Sequence, residues 1–188
     1  MTLISLSTIG KKTLSIAFLI FFLAGTPVAL RATECKAVQR NACNVLLLLD
    51  DADKAQAETT HLPYGIPTPP VGAMNEKLLY QSEYIINYDA DLLVPTWVGY
   101  RLRDSDIQER DRIDCFRPDP RLIPSDSARL EDYKEDNQIY DRGHMAPRSA
   151  MNRSECAMIN TFILSNMTPQ HDRFNRCTWR WLEENERD

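Results

Sequence analysis

Glycine is scarce, six among 188 residues against eleven prolines, which argues against collagen-like or low-complexity sequence. No segment repeats at the period of a solenoid. The five cysteines include no Cys-x-x-Cys pair, so a zinc ribbon is not indicated. Positive charge is also lacking: the formal net charge is −5, and setting aside residues 1–32, which hold three basic and no acidic side chains, leaves 19 basic against 27 acidic. A polyanion-binding protein usually carries a basic patch, so any such binding has to come from local residues. What is present is ordinary, 43% apolar and 26% charged, enough for one globular domain with a short extra arm. Disordered, fibrous and multi-pass membrane classes are excluded on these grounds.

The start of the chain is organised differently from the rest. Lys11 and Lys12 precede an apolar run from Thr13 to Ala24, and Gly25-Thr26-Pro27 breaks it. A positive start, an apolar stretch and small residues beyond it have the layout of a secretory signal. Residues 1–32 are therefore expected to be a signal peptide cleaved between 24 and 32, and the chain to be secreted. The uncharged stretch continues to Leu30, so an uncleaved anchor is the competing reading. The cysteines, Cys35, Cys43, Cys115, Cys156 and Cys177, fit an oxidising compartment. Cys35 and Cys43 are near enough in sequence to close a small loop, and the odd count leaves one thiol over. Asn152-Arg153-Ser154 is a formal glycosylation acceptor.

Residues 33–75 are expected to form an N-terminal arm and a Pro-rich linker ahead of a domain over 76–188. Val45–Leu49 is a buried run by composition. Asp50-Asp51-Ala52-Asp53 lacks the glycine and distal glutamate of a calcium loop and predicts a solvated helix start. The runs 79–88 and 96–102 mix aromatic and β-branched residues and predict a hairpin turned at Asp89-Ala90-Asp91. Residues 103–138 are charged and proline-punctuated, a long surface loop. Beyond them, Ile139-Tyr140-Asp141 reads as a strand end and Arg142-Gly143-His144 as the turn off it. A short helix is predicted over 154–160, a buried strand over Thr161–Ser165, and a last helix from about Arg173. Trp179 and Leu182 follow Asn175 at helical spacing and are read as core packing. The fold class is α+β.

Chemistry concentrates at 141–183. Asp141-Arg142-Gly143-His144-Met145-Ala146-Pro147 resembles the Asp-Arg-Gly-His signature of the DNA/RNA non-specific endonucleases, the ββα-metal or His-Me finger nucleases that include endonuclease G. A second block agrees: Leu164-Ser165-Asn166-Met167-Thr168-Pro169-Gln170, then Phe174-Asn175, Trp179 and Leu182-Glu183. The strand pair ending at Leu102 also resembles the one that precedes the site in that family. Several blocks in the right order carry more weight than four letters alone. The resemblance covers roughly 79–188 and implies antiparallel strands with a metal-bearing helix.

The residue types suit phosphodiester hydrolysis, which needs an activated water, neutralisation of developing charge and help for the leaving oxygen. His144 is the candidate general base, since imidazole accepts a proton near neutral pH. Gly143 either permits a sharp turn or lets substrate approach. Asn175 is the candidate metal ligand, because an amide oxygen suits Mg²⁺, with Mn²⁺ as a substitute; spacing alone favours a helix N-cap, and the resemblance reverses that in favour of the metal. Glu183 lies about 12 Å further along a regular helix, which points to a role through water held by the metal, an exposed surface glutamate being the alternative. Arg142 offers a planar fork to phosphate. The resemblance implies a second arginine, Arg112, with Arg117 its rival, and a supporting asparagine, Asn166. Asp141 is read as structural. Arg148, Arg153, Arg173, Arg176 and Arg180 would supply a local positive field.

Family members continue well past the Asn-bearing helix, so this chain is expected to hold a partial domain. The reading is a secreted, Mg²⁺-dependent endonuclease cutting DNA and RNA through backbone contacts and leaving 5′ phosphates. Two alternatives stand beside it: an inactive module that keeps the motif and binds nucleic acid or a protein, and a hydrolase of other chemistry using Ser165 or a cysteine.

Overall fold

The computed structural model of this chain describes residues 33–68, 72, 75–134 and 139–187; the signal-like segment lies outside them. Among the described residues no helix is long and apolar enough to cross a membrane. The elements run β1 (Thr33–Glu34), α1 (Ala37–Val45), α2 (Asp51–His61), β2 (Glu76–Tyr80), β3 (Ile85–Asp89), β4 (Val94–Gly99), β5 (Ile113–Asp114), β6 (Tyr140–His144), α3 (Glu155–Asn160), β7 (Met167–His171), then a π-helical stretch (Phe174–Trp179) that passes directly into α4 (Arg180–Asn185).

The arm is two helices. Asp50 opens α2 by accepting the Asp53 amide at 2.8 Å, as an N-cap aspartate does. The apolar run before it is not buried as a block: Leu47 is, whereas Val45, Leu46 and Leu48 are exposed. Cys35 and Cys43 do not pair with each other. Cys35 joins Cys115 and Cys43 joins Cys156, so each ties the arm to a distant part of the chain. A loop between neighbours would have cross-linked only the arm. The observed pairs place Cys43 and Cys115 in one apolar cluster with Met158, Ile159 and Phe162.

The 79–88 run is two strands, not one. Gln81 and Tyr84 close a tight turn, and β2, β3 and β4 form an antiparallel meander with β3 at its centre. Tyr84, Ile85, Ile86, Asn87 and Tyr88 are all buried, because a central strand covered on both faces has no outward side. Pro95 sits on β4, an edge strand that tolerates a missing amide donor. The β3–β4 turn is held by Asp89 Oδ1, which accepts the amides of Asp91 and Leu92.

Two further expectations change. Arg142-Gly143-His144 is not a turn: β6 continues through His144 and pairs with β7, Gly143 opposite Thr168. Thr161–Ser165 is buried throughout yet is not a strand. It touches its neighbour by a single bridge, Arg117 with Ile163, and then coils through a 3₁₀ turn, Leu164–Asn166. The strand follows it. The short helix does start where its cap predicts, with Ser154 Oγ accepting the Ala157 amide.

Candidate active site

His144 ends β6, and its position is set from three sides. Its ring meets Phe162 edge-on with centroids 4.9 Å apart, and Phe116 lies at 6.2 Å. Its backbone carbonyl accepts the Trp179 indole N–H at 3.0 Å, which joins β6 to the last helix. The chain behind it is held by Asn166. That side chain is fully buried; its Oδ1 accepts the Ala146 amide and its Nδ2 donates to the carbonyls of Ala146 and Thr161. Asn166 thus spends its side chain on the backbone, which makes it a positioning residue. Asn152, the formal glycosylation acceptor, is also buried, and its Nδ2 donates to the Gln108 carbonyl, which leaves it unsuited to carrying sugar in the folded chain.

Burial and the charges of Arg112, Arg148 and Arg142 push the His144 imidazole down to about 3. The ring is therefore neutral at ordinary pH, as a proton acceptor must be. Its Nε2 is buried without a hydrogen-bond partner among the described residues. An anion bound to those arginines would cancel part of their field and make the ring more basic.

Asn175 lies in the π-helical stretch, not at a helix start, so the cap role does not apply. Its Nδ2 donates to Asp141 Oδ2 at 3.0 Å. The same carboxylate accepts two bonds from Arg176, at 2.8 and 2.7 Å, which hold it well below the usual carboxylate range. With its nitrogen anchored, the Asn175 amide presents its oxygen away from Asp141. That orientation suits a hard cation. No group of three or more His, Cys, Asp and Glu among the described residues could cage a metal. The donor set fits an ion that keeps most of its waters, as Mg²⁺ does, and not zinc.

His144, Asn175, Glu183, Arg112 and Arg142 face one cavity of about 340 Å³, with Arg176 and Arg180 on its wall. A lobe of about 750 Å³ shares Arg112, Arg142, Asn175 and Arg176 and extends past Lys134 and Tyr140. Together the two form a groove rich in guanidinium groups on a chain that is acidic overall. Arg142 stacks on Phe116, 3.8 Å from the ring centre, which aims its fork, and it forms no ion pair among the described residues. Arg112 pairs with Asp114 at the groove edge. Its rival is removed from the question: Arg117 is buried and bonded to Asn44, Asn160 and the carbonyls of Cys115 and Ile159. Arg153 is turned away to Glu83. Burial lifts the Glu183 carboxyl to about 7, with Trp179 and Arg187 opposing the shift.

Some residues fall elsewhere than expected. Leu182 is 43% exposed and not core, and no residue of Phe174–Asn185, all of them described, is buried. Gly143 has no left-handed backbone; a Cβ there would overlap the Gln170 side chain crossing from β7. Ser165 donates to Asp119 at 2.6 Å inside the core, which removes the serine-hydrolase alternative, and the free Cys177 is exposed and outside the groove. The Phe162 platform, the Trp179 clamp and the hold of Asp141 on Asn175 have no spacing signal in sequence.

Residues 66–188 match the family model of the DNA/RNA non-specific endonucleases. The chain belongs to that family. Among curated proteins it is 31% identical to a nuclease of Nostoc over 67% of this chain and 47% of that protein. It is 38% identical to the human mitochondrial nuclease EXOG over 54% of this chain and 28% of that one. It also superimposes on a chain of the EndoG/EndoGI complex, solved to explain EndoG inhibition, with a TM-score of 0.59 and 29% identity over 74% of this chain and 54% of that chain. The chain thus spans about half or less of the length of these curated relatives. The ββα-metal fold and the antiparallel strands expected for a metal-dependent nuclease family are present.

Proposed function

We propose that this chain is a secreted, Mg²⁺-dependent endonuclease that hydrolyses DNA and RNA to 5′-phosphate products. The observation that carries the reading is the convergence of a neutral His144 imidazole and an anchored Asn175 amide on one arginine-lined cavity. Arg142 and Arg112 bind the scissile phosphate and align it. The neutral His144 takes a proton from water as the water oxygen attacks phosphorus and the bond to the 3′ oxygen breaks. Asn175 Oδ1 would hold the metal, with Mn²⁺ able to replace Mg²⁺, and the ionised Glu183 would accept hydrogen bonds from water beside it. A metal in that position supplies positive charge to the transition state and the leaving oxygen. The groove offers cations for backbone phosphates, which carry little base information, in keeping with action on either sugar. Secretion is supported by the signal-like start and by two cystines, which persist in oxidising compartments.

The test is degradation of plasmid DNA and total RNA in Mg²⁺, in EDTA, and with His144→Ala. Losing a general base slows cleavage by about 10²–10⁴-fold. Cleavage that ignores EDTA, or that survives in His144→Ala, refutes the mechanism. A folded protein that binds nucleic acid but never cuts would favour the inactive binding module.

A further inference from the structure

Arg148 is a half-buried cation that forms no ion pair among the described residues. It follows Pro147 in a 3₁₀ turn, Arg148–Ala150. Among the described residues its guanidinium has no ion pair and no hydrogen bond, and burial together with Arg112 and Arg187 holds it below the usual arginine range. Two carboxylates act on it without pairing with it: Asp114 pairs with Arg112, and Glu183 faces the catalytic cavity. Holding a cation in such a place costs stability unless an anion offsets it.

Arg148 lines a polar cavity of about 540 Å³ that is separate from the catalytic groove, and Arg110 and Arg187 share it. Neutral acceptors fix both neighbours. Arg110 donates to the carbonyls of Asn152, at 2.7 Å, and Arg153, at 3.1 Å. Arg187 donates to Ser149 Oγ and to the Glu183 carbonyl, each at 2.6 Å. Their positions are set, and neither forms an ion pair among the described residues. Glu109 and Asp111 also line the cavity, but both are exposed and neither pairs with its arginines among the described residues. The Arg187 bond to Glu183 places this cavity directly behind the residue that faces the catalytic groove.

We propose that the Arg110–Arg148–Arg187 cavity binds a second phosphate of the nucleic-acid strand, beyond the scissile one, with Arg148 its principal ligand. The inference rests on the nuclease reading for the identity of the anion. It assigns the enzyme a substrate longer than a single diester and gives Arg148 a part in choosing it.

The test uses the full chain, Arg148→Gln and Arg110→Gln. A fluorescent 20-nucleotide strand is bound in EDTA and followed by anisotropy, and cleavage in Mg²⁺ is compared on that strand and on bis(p-nitrophenyl) phosphate, which has no second phosphate. Arg148→Gln should weaken strand binding about tenfold, the loss expected of one charge-assisted contact, and make the slope of log Kd against log salt shallower by about 0.7. Its loss of kcat/KM on the strand should exceed its loss on the small diester by about the same factor. Arg110→Gln, whose charge is not among those acting on His144, should move strand binding in the same direction by a smaller factor. Unchanged strand affinity and salt slope in Arg148→Gln, or equal losses on the two substrates, overturn the proposal. Strand binding that depends on Arg148 in a protein that never cleaves refutes the nuclease reading and leaves the anion site standing.

Discussion

Asp141 is where a modest change should separate metal binding from chemistry. Its carboxylate anchors Asn175 Nδ2 at 3.0 Å and is itself clamped by Arg176. Asp141→Ala removes that anchor, and the amide can then turn its nitrogen toward the cavity, presenting a donor where a cation needs an oxygen. Groups that orient a metal ligand are typically worth 10–100-fold in metal affinity, about 1.4–2.7 kcal/mol. The Mg²⁺ concentration for half-maximal cleavage should rise by that factor, with kcat at saturating Mg²⁺ falling far less, since neither His144 nor the Arg142 side chain hydrogen-bonds Asp141 among the described residues. Arg176→Gln is the control. It removes a half-exposed ion pair worth little by itself and leaves the Asp141–Asn175 bond in place, so its Mg²⁺ curve should move by less than threefold. The assay is initial-rate cleavage of plasmid DNA over a Mg²⁺ titration at fixed ionic strength, with circular dichroism of each variant to confirm folding. An unshifted Mg²⁺ requirement in a folded Asp141→Ala protein would refute the argument that Asp141 sets the ligand's orientation.

Two other outcomes follow from the same geometry. Burial raises Glu183 to about 7, and its role requires the ionised form, so kcat/KM should climb through about pH 7 and the Mg²⁺ requirement should fall over the same range. Stability moves the other way, because a raised carboxyl favours the fold fully below its ordinary value and loses that contribution as pH rises through about 7; in EDTA, Glu183→Gln should melt higher than the parent above pH 7 and show no activity limb there, and a parental pH profile in that variant would count against the assignment. Cys35–Cys115 and Cys43–Cys156 close spans of 80 and 113 residues, each worth on the order of 4–5 kcal/mol in the chain-entropy account; reduction should lower Tm and abolish cleavage together, measured by thermal melts with and without reductant, and full activity in the reduced state would show that the Phe162 platform does not depend on the arm.

The candidate site's motif was legible because its residues are local in sequence. Asp141 through Pro147 and Asn166 through Glu183 sit in two blocks, and β6 with β7 brings them face to face. Helix starts were legible for the same reason, since Asp50 and Ser154 act on amides three residues away. Pairings between distant residues left no such trace. Nothing in the spacing of five cysteines selects Cys43–Cys156 over a short loop to Cys35. Nor does composition separate Arg112, which reaches the groove, from Arg117, which is buried under it.

The differences at 45–49 and 161–165 share a physical cause, the treatment of apolar runs as regular elements. Burial constrains side chains, whereas a strand also requires a neighbour for its backbone. Thr161–Ser165 is buried, but its amides and carbonyls are served piecemeal: Leu164 donates to Arg117, Phe162 accepts from it, and Asn166 donates to Ile163. The irregular path has a consequence for the site. It turns Phe162 under the His144 ring and brings Asn166 beneath the Ala146 backbone, two placements that a straight strand, which would set residues four apart on one face about 13 Å from each other, would not provide together. The segment that sequence patterning describes least well is therefore one that the candidate base depends on most closely.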